Sequence, residues 1–459
     1  MKGNDIKMEQ NDTLGTAPIG KLLIKLAIPT VLAQIVNLLY NIIDRIFVSR
    51  IPVVGTDALA GLGVTFPIII LISAFAALIG MGGAPKAAIY MGQKDNDSAE
   101  KILGNCTTMI VGVSVILSVL FYFTKEKILM TFGASNSTLP YANSYLTIYL
   151  IGTVFVLISL GLSAFITTQG FSKVSMITVC VGAVLNIILD PIFIFVFDLG
   201  VKGAAIATVS SQAGSAILVL AFLCSKRSNI RVKKHNLKLN RKIVLPVLAL
   251  GSAPFIMQAT ECLVQLTFNV SMQTYGNDYY VALMSILFSI MQLVFMPMQG
   301  FSQGAQPIIS YNYGAKNYDR VKQAFSLLIK LSLSFSIIVV GCVELFPSVF
   351  LRMFTPDINV IEIGIPSVRI FLIGMIIMGA QIACQTTFLA VGEAKSSMFL
   401  ALLRKVILLL PLAIILPRIG GLGITGVFLA EAIADFIAVI ITVIYFYIKK
   451  KTIFTKVKA

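Results

Sequence analysis

Apolar residues run along this chain in unbroken stretches of about 20, without the two-residue alternation of a half-buried strand. A helix of that length rises 1.5 Å per residue and crosses a hydrocarbon core about 30 Å thick. Lipid offers no partner to a backbone amide, so a spanning segment must be a helix or part of a closed barrel. A barrel strand alternates apolar and polar positions, which these stretches do not. The pattern predicts about twelve helical spans, over 22–48, 57–83, 102–122, 141–167, 174–197, 203–224, 243–272, 279–306, 323–346, 360–388, 396–417 and 423–448. The expected fold class is an all-α membrane protein. The stretch from Met1 to Gly20 is polar and has no apolar signal-peptide region, so the first span is expected to act as its own insertion signal.

Composition agrees with that pattern. Of the residues, 57% are hydrophobic and 12% charged, against roughly 25% charged in an ordinary soluble domain. Mean hydropathy is +0.92. The formal net charge of +16 would suit nucleic acid, but its distribution argues for a membrane instead. Outside the spans, 24 Lys and Arg lie on the side of the N-terminus and 6 on the other. The densest cluster is Lys226, Arg227, Arg231, Lys233, Lys234, Lys238, Arg241 and Lys242. A second is Lys449, Lys450, Lys451, Lys456 and Lys458. Positive charge concentrates on the cytoplasmic side, so both termini and the 225–242 loop are expected there, in a cell (inner or plasma) membrane. The six cysteines stand singly, with no CxxC pair, and read as small apolar fillers.

The chain also repeats itself. At an offset of 222 residues Pro85 meets Pro307, and Gly92-Gln93-Lys94-Asp95 meets Gly314-Ala315-Lys316-Asn317. Ile151-Gly152 then meets Ile373-Gly374, Gly170 meets Gly392, and Lys173 meets Lys395. After a one-residue slip Gly200, Gly203 and Ala207 meet Gly423, Gly426 and Ala430, while Pro29 meets Pro254 at an offset of 225. Six spans per half give both halves the same orientation, a parallel repeat about an axis along the membrane normal. The expected organisation is a tail over 1–21, an N-lobe over 22–224, a basic linker over 225–242, a C-lobe over 243–448 and a basic tail over 449–459. Two equivalent bundles facing one another leave a cleft that rocking exposes to alternate sides, as a transporter requires. The turns at Gly92–Asp97 and Gly314–Asp319 read as structural, with Gly free to adopt αL and Asn or Asp capping the next helix.

Polar side chains inside spans are costly and mark function. Span one carries Gln34, Asn37, Tyr40, Asn41 and Asp44 on roughly a third of its circumference. Span five carries Asn186 and Asp190 one turn apart, followed by Pro191, which removes a donor and frees the carbonyl of Ile187. Thr208 in span six lies at similar depth. Carboxylates and freed carbonyls suit a hard cation such as sodium. Two carboxylates in one partly dry pocket repel, so the pocket calls for a proton or a sodium ion. The other reading is hydrogen-bonded glue between helices. The repeat offers an internal control, because Asp44 aligns with Asn269, Asn186 with Leu408 and Asp190 with Leu412. The shared fold therefore does not require the carboxylate pair.

The second half has Glu261, Arg404, Glu431 and Asp435; Arg404 and Glu431 are expected to pair, and Glu261 to meet a cationic substrate. Arg369 is expected to face a polar interior. Span eight is rich in Met284, Phe288, Met291, Met296 and Met298, adaptable residues of the kind a promiscuous pocket uses and a core also uses. The candidate substrate cavity comprises Gln34, Asn37, Asn41, Phe66, Met257, Glu261, Met284 and Phe288. His235 is the only histidine, so HExxH and Ser-His-Asp sites are excluded. Gly80–Lys86 lacks the spacing of a phosphate-binding loop, so no enzyme, nucleotide-driven pump or cofactor is expected.

Two six-helix repeats, with Asn186-Ile187-Ile188-Leu189-Asp190-Pro191 beside Tyr40 and Asp44, resemble the multidrug and toxic compound extrusion (MATE) family, in its DinF/MepA-like bacterial and archaeal branch. The resemblance covers the chain after residue 20. It implies the MATE/MOP-type fold and an N-lobe cation network of Tyr40, Asp44, Asn186, Asp190 and Thr208. It also implies hinge roles for Pro29 and Pro191, and a monomeric antiporter that expels small amphipathic, mostly cationic drugs against entering Na+ or H+. The family's acidic site in spans seven and ten is matched only by Glu261, with Gln381 and Gln385 in span ten. A lipid-linked oligosaccharide flippase of the same superfamily is the alternative; it needs a cationic cavity, and Arg45, Lys330, Arg369 and Arg404 are the cations noted within spans. A non-transporting membrane scaffold or a membrane-embedded enzyme stands as the reading from another class.

Overall fold

The computed structural model describes residues 13–454 apart from Val53; the tail residues 1–12 and 455–459, Lys456 and Lys458 among them, lie outside the described residues. Helices account for nearly all the described chain, and no strand occurs in it. In the N-lobe these are α1 (Ile19–Ser49), α2 (Gly55–Gly92), α3 (Asn96–Thr131), α4 (Leu139–Ile151 with Thr153–Thr168), α5 (Ser172–Val196) and α6 (Gly200–Cys224). In the C-lobe they are α7 (Arg241–Tyr275), α8 (Asp278–Gly314), α9 (Tyr318–Leu345), α10 (Ile358–Ala390), α11 (Ala394–Arg418) and α12 (Gly423–Phe454). Eleven are single helices able to cross a membrane, and α4 is a pair bent by 59°. The chain is a multi-pass membrane protein. Its outward faces carry Phe123, Ile217 and Ile338, all well over half exposed, as a lipid solvent permits.

The two halves share their irregularities as well as their helices. The α4 bend falls at Gly152, and at the equivalent Gly374 helix α10 tightens into a 3-10 stretch over Ile373–Ile377. Helix α5 passes through Pro191 into a π-helical turn over Ile192–Val196, and α11 holds a longer π-helical stretch over Leu403–Leu409. Left-handed backbone recurs at Gly170 and Gly392 (φ 87° and 83°) and at Lys94 and Lys316 (φ 63° and 58°). The expectation for the two matching turns is corrected here, since the lysines, not Gly92 and Gly314, adopt αL.

Gly92 and Gly314 serve a different purpose. A methyl group at Gly92 would fall 2.0 Å from the carbonyl oxygen of Tyr311, and one at Gly314 would fall 2.0 Å from that of Ile89. The two equivalent glycines thus let α2 and α8 touch backbone to backbone. The same holds for α2 and α7, where a methyl at Gly251 would meet the Leu78 carbonyl at 1.8 Å and one at Gly82 the Val247 carbonyl at 2.2 Å. Helix α1 meets α8 similarly, with Gly300 against Val31 and Gly304 against Ala27. There Thr30 donates to the Gly300 carbonyl at 2.6 Å, directly after Pro29. Near the linker end, Asn312 and Arg320 of the C-lobe donate to the Leu14 and Ala17 carbonyls at 2.9 and 2.7 Å. These contacts lie in the half of the bundle that carries the linker. Rings of Phe75 and Phe255 cross the seam edge to face, 4.9 Å apart.

The apolar core follows the same division. One cluster fills the N-lobe and continues through Ile308, Leu328 and Phe388 into the linker half of the C-lobe. A second, around Phe268, Leu287, Phe371 and Phe428, fills the far half of the C-lobe alone. The linker itself is laid on the N-lobe. Asn105 donates to the Asn236 carbonyl at 3.3 Å and accepts from the Asn240 amide at 2.7 Å, while Thr108 donates to the Leu237 carbonyl at 2.7 Å. Glu100 binds the Arg231 amide and pairs with Lys233.

Candidate functional site

Helices α1 and α5 bring their polar faces together inside the N-lobe. Asn186 and Asp190, one turn apart on α5, are 1% and 0% exposed, and the Asn186 amide donates to Asp190 Oδ1 at 3.3 Å. The Asp44 carboxyl on α1 lies close enough to Asp190 for the two carboxylates to repel. Tyr40 lies one turn below Asp44 and beside both carboxylates. Three buried oxygens, Asp44 Oδ1, Asn186 Oδ1 and Asp190 Oδ2, have no hydrogen-bond partner. A buried acceptor without a donor carries a desolvation cost of about 1–3 kcal/mol, more when it is charged. Three such oxygens from two helices are an arrangement that a proton or a small hard cation would complete. Thr208 on α6 is buried and engages Tyr145 of α4. Tyr145 stacks on Tyr149 at 6.2 Å, and both are 4% exposed.

Below the carboxylates lies a cavity of about 40 Å³, enough for a water molecule. Its walls include Asn37, Tyr40, Ser159, Thr178, Ser211 and Gln212, an unusually polar set for the interior of a lobe. Gly182 leaves room for it, since a methyl group there would fall 2.2 Å from Ser215 Oγ. Ser159 donates to Gln212 at 2.6 Å across the cavity wall.

The C-lobe fills its equivalent space with charge. At the shared offsets Gly182 corresponds to Arg404, Thr208 to Glu431 and Gln212 to Asp435. Arg404 donates to Asp435 at 2.8 Å and approaches Glu431 at 3.5 Å, with all three almost wholly buried. The expected Arg404–Glu431 pair forms, and Asp435 is its stronger member. Lys405, also buried, donates to Glu261 at 2.9 Å. Glu261 is therefore engaged by a cation of its own chain, which corrects the expectation that it is free to meet a cationic substrate.

The remaining expected cavity residues scatter. Asn37 reaches the polar cavity, Gln34 is half-buried above the lobe seam, and Asn41 is exposed and donates to the Asn37 carbonyl at 2.7 Å. Phe66 lies under the Arg45 guanidinium, 4.9 Å away. Met257 accepts from Gln385 at 3.1 Å. Met284 and Phe288 are 0% and 9% exposed in the far C-lobe core, where Phe288 packs edge to face on Phe268 and Phe371. In this conformation both are packed into the C-lobe core, which corrects that part of the expected substrate cavity. Arg369, expected in a polar interior, is exposed and lies near Glu344.

The sequence model of the MatE family matches the chain twice, over residues 29–192 and 254–415, each match opening on one of the paired prolines Pro29 and Pro254. The chain belongs to the MATE family. It is 24% identical over 449 residues to the multidrug export protein MepA of Staphylococcus aureus (strain NCTC 8325 / PS 47), covering 96% of this chain and 97% of that one. The Staphylococcus haemolyticus MepA matches at 24% over 441 residues, 95% and 96% covered. A MATE crystallised in the bent conformation superposes with a TM-score of 0.90 at 23% identity, covering 97% of this chain and 99% of that one. An outward-facing multidrug-resistance MATE transporter of the MOP superfamily gives 0.90 at 22%, with 97% and 98% covered. Family membership and a shared fold over nearly the whole chain thus place the protein among transporters.

Within this MATE chain the reading from sequence passed over Tyr145, Tyr149 and Lys405. The tyrosines carried a legible signal, since Tyr141, Tyr145 and Tyr149 are spaced by four along one face of α4. Lys405 carried a weaker one. It follows Arg404 directly, and two consecutive residues of an ordinary helix point about 100° apart. The π-helical stretch over Leu403–Leu409 holds both, and both are buried, at 3% and 4% exposure.

Proposed function

We propose that this protein is a secondary active antiporter that expels small amphipathic organic cations in exchange for a sodium ion or a proton bound at Asp44 and Asp190. The observation that carries the proposal is the trio of buried, unpartnered oxygens on Asp44, Asn186 and Asp190. Asn186 orients Asp190, Tyr40 stands beside both carboxylates, and Tyr145 lies between Asp44 and Thr208, which is read as the outer member of the site. The linker and both termini face the cytoplasm by the distribution of Lys and Arg. The backbone seam then closes the cytoplasmic half, and the conformation is outward-facing. From this state an ion entering from outside reaches the N-lobe carboxylates, the polar face of α1 reorganises about Pro29, and the drug leaves. Binding linkage requires drug and ion to weaken each other by the same factor.

The flippase reading loses support because the buried cations Arg404 and Lys405 are already matched by Asp435, Glu431 and Glu261. The test is ethidium efflux from an efflux-deficient bacterium carrying wild type, Asp44→Asn or Asp190→Asn, with sodium and pH gradients imposed separately. Export by wild type alone, with all three proteins at equal membrane levels, supports the site, and the effective gradient names the ion. Mutants that export as well as wild type would falsify the coupling role, and a wild type that exports nothing would turn attention to the flippase.

A further inference from the structure

On the lipid-facing side of the N-lobe, α5 and α6 part to leave a groove of about 470 Å³. Its walls are apolar, from Val174 and Ile177 of α5 and Leu218, Ala221 and Phe222 of α6. Ile177 is about half exposed, and Phe171 fixes the Phe222 ring edge to face at 5.0 Å. At the linker end the groove runs into Lys226 and Arg227. Both are exposed, and neither joins an ion pair among the described residues.

Their position is built rather than loose. Ser225 donates to the Phe222 carbonyl at 2.7 Å and accepts from the Arg227 amide at 3.2 Å, which turns the chain sharply off the end of α6. Just beyond, Gln169 Oε1, wholly buried, accepts from the Asn229 and Ile230 amides at 2.7 and 3.1 Å and from Ser228 Oγ at 2.9 Å. Two unpaired cations on a braced backbone turn therefore stand at the end of an apolar trough that opens to lipid.

We propose that this groove seats one anionic phospholipid of the linker-side leaflet, its chain along α5 and α6 and its headgroup between Lys226 and Arg227. A zwitterionic headgroup gains little from two unpaired cations, and a free anion has no use for the trough. A cation near the membrane surface contributes about 1 kcal/mol towards an anionic lipid, so the pair should give about a thirtyfold preference. The seat also has a position of consequence. Thr178 lines both this groove and the polar cavity beneath Asn186, and its carbonyl accepts from Ser215 at 2.9 Å. An acyl chain there would pack against the back wall of the N-lobe site. Lipid binding itself does not depend on the antiport reading, and either can fail alone.

The test is native mass spectrometry of the full-length protein in detergent, titrated with phosphatidylglycerol or phosphatidylcholine carrying the same acyl chains. Wild type should bind phosphatidylglycerol about thirtyfold more tightly. The double variant Lys226→Gln/Arg227→Gln should lose that preference, and Ala221→Trp, which fills the trough, should weaken both lipids. Lys449→Gln/Lys450→Gln, at the end of α12, should keep the preference. Equal binding of the two lipids by wild type overturns the proposal. So does an equal loss in the α12 control, which would mean diffuse attraction, or displacement of the lipid by inorganic phosphate, which would mean a bare anion site.

Discussion

The two lobes place opposite solutions at the same point of one repeat. Where the N-lobe has Gly182 and Gln212 lining a small polar cavity, with Thr208 one turn before Gln212 on α6, the C-lobe has Arg404, Glu431 and Asp435 in contact. Among the described residues Asp44 and Asp190 of the N-lobe form no ion pair, and Arg45, next to Asp44 in the chain, lies over the Phe66 ring instead. The C-lobe brings tethered cations to its acids, Arg404 to Asp435 and Glu431, and Lys405 to Glu261. An exchangeable ion is useful only where the seat can be vacated. A guanidinium on its own backbone cannot leave, so by this reading the C-lobe keeps the electrostatic form of the site while giving up its turnover. One acid remains in excess there, since three carboxylates face two cations.

That contrast is sharpest in transport. Asp190→Asn is expected to abolish gradient-driven efflux, whereas Glu431→Gln, which balances the C-lobe charges, is expected to leave it largely intact. Efflux assays on both variants at matched membrane levels decide the matter, and loss of transport in Glu431→Gln would show that both lobes exchange an ion. Next in size is Arg404→Met. Removing one partner of a buried ion pair strands the other, so this variant should lose about 3–5 kcal/mol of stability, read as a lower melting temperature in detergent. Asp190→Asn, which deletes a charge with no tethered partner, should melt at or above the wild-type temperature. Lys405→Met should cost about 2 kcal/mol, less than Arg404→Met, because Glu261 retains access to water.

The smallest effect separates the two equivalent turns. Asp95 caps α3 by accepting from the Ser98 amide at 3.0 Å, while its counterpart Asn317 makes no such bond to α9. Asp95→Ala should therefore cost about 1 kcal/mol and Asn317→Ala markedly less. The hydrogen bonds from Ser98 hold the Asp95 carboxyl below the ordinary carboxylate range. A depressed folded value means that this cap contributes fully above the ordinary carboxylate pKa and fades as pH falls through the folded one. The stability gap between wild type and Asp95→Ala should close accordingly in melts at descending pH.

Much of the molecule was legible because lipid is a demanding solvent. Continuous apolar runs announced the spans, and Gly170/Gly392 and Ile151-Gly152/Ile373-Gly374 marked places where both lobes later proved to bend or turn. Asn37 and Tyr40 of α1 and the Asn186–Asp190 pair pointed inward for the same reason, whereas Asn41 on the same helix is exposed. What stayed hidden depended on neighbours that sequence does not specify. Gly92 and Gly314 resembled turn glycines because nothing in a sequence names the backbone they will touch. Met284 and Phe288 carried the spacing of a core and of a pocket alike, and the C-lobe resolved them as core. Glu261 seemed available because its partner Lys405 lies 144 residues away on a π-distorted stretch.

The glycine seam has a mechanical meaning. Surfaces that meet through interdigitated side chains behave like gears, and parting them requires many rotamers to move together. Between α2 and α8, and between α2 and α7, the faces that meet at Gly92, Gly314, Gly82 and Gly251 are bare backbone, so they can slide and separate with little friction. The same smoothness makes the seam intolerant of debris. A single methyl group on any of the four would act as a wedge in a bearing, holding the halves apart without altering either one's interior.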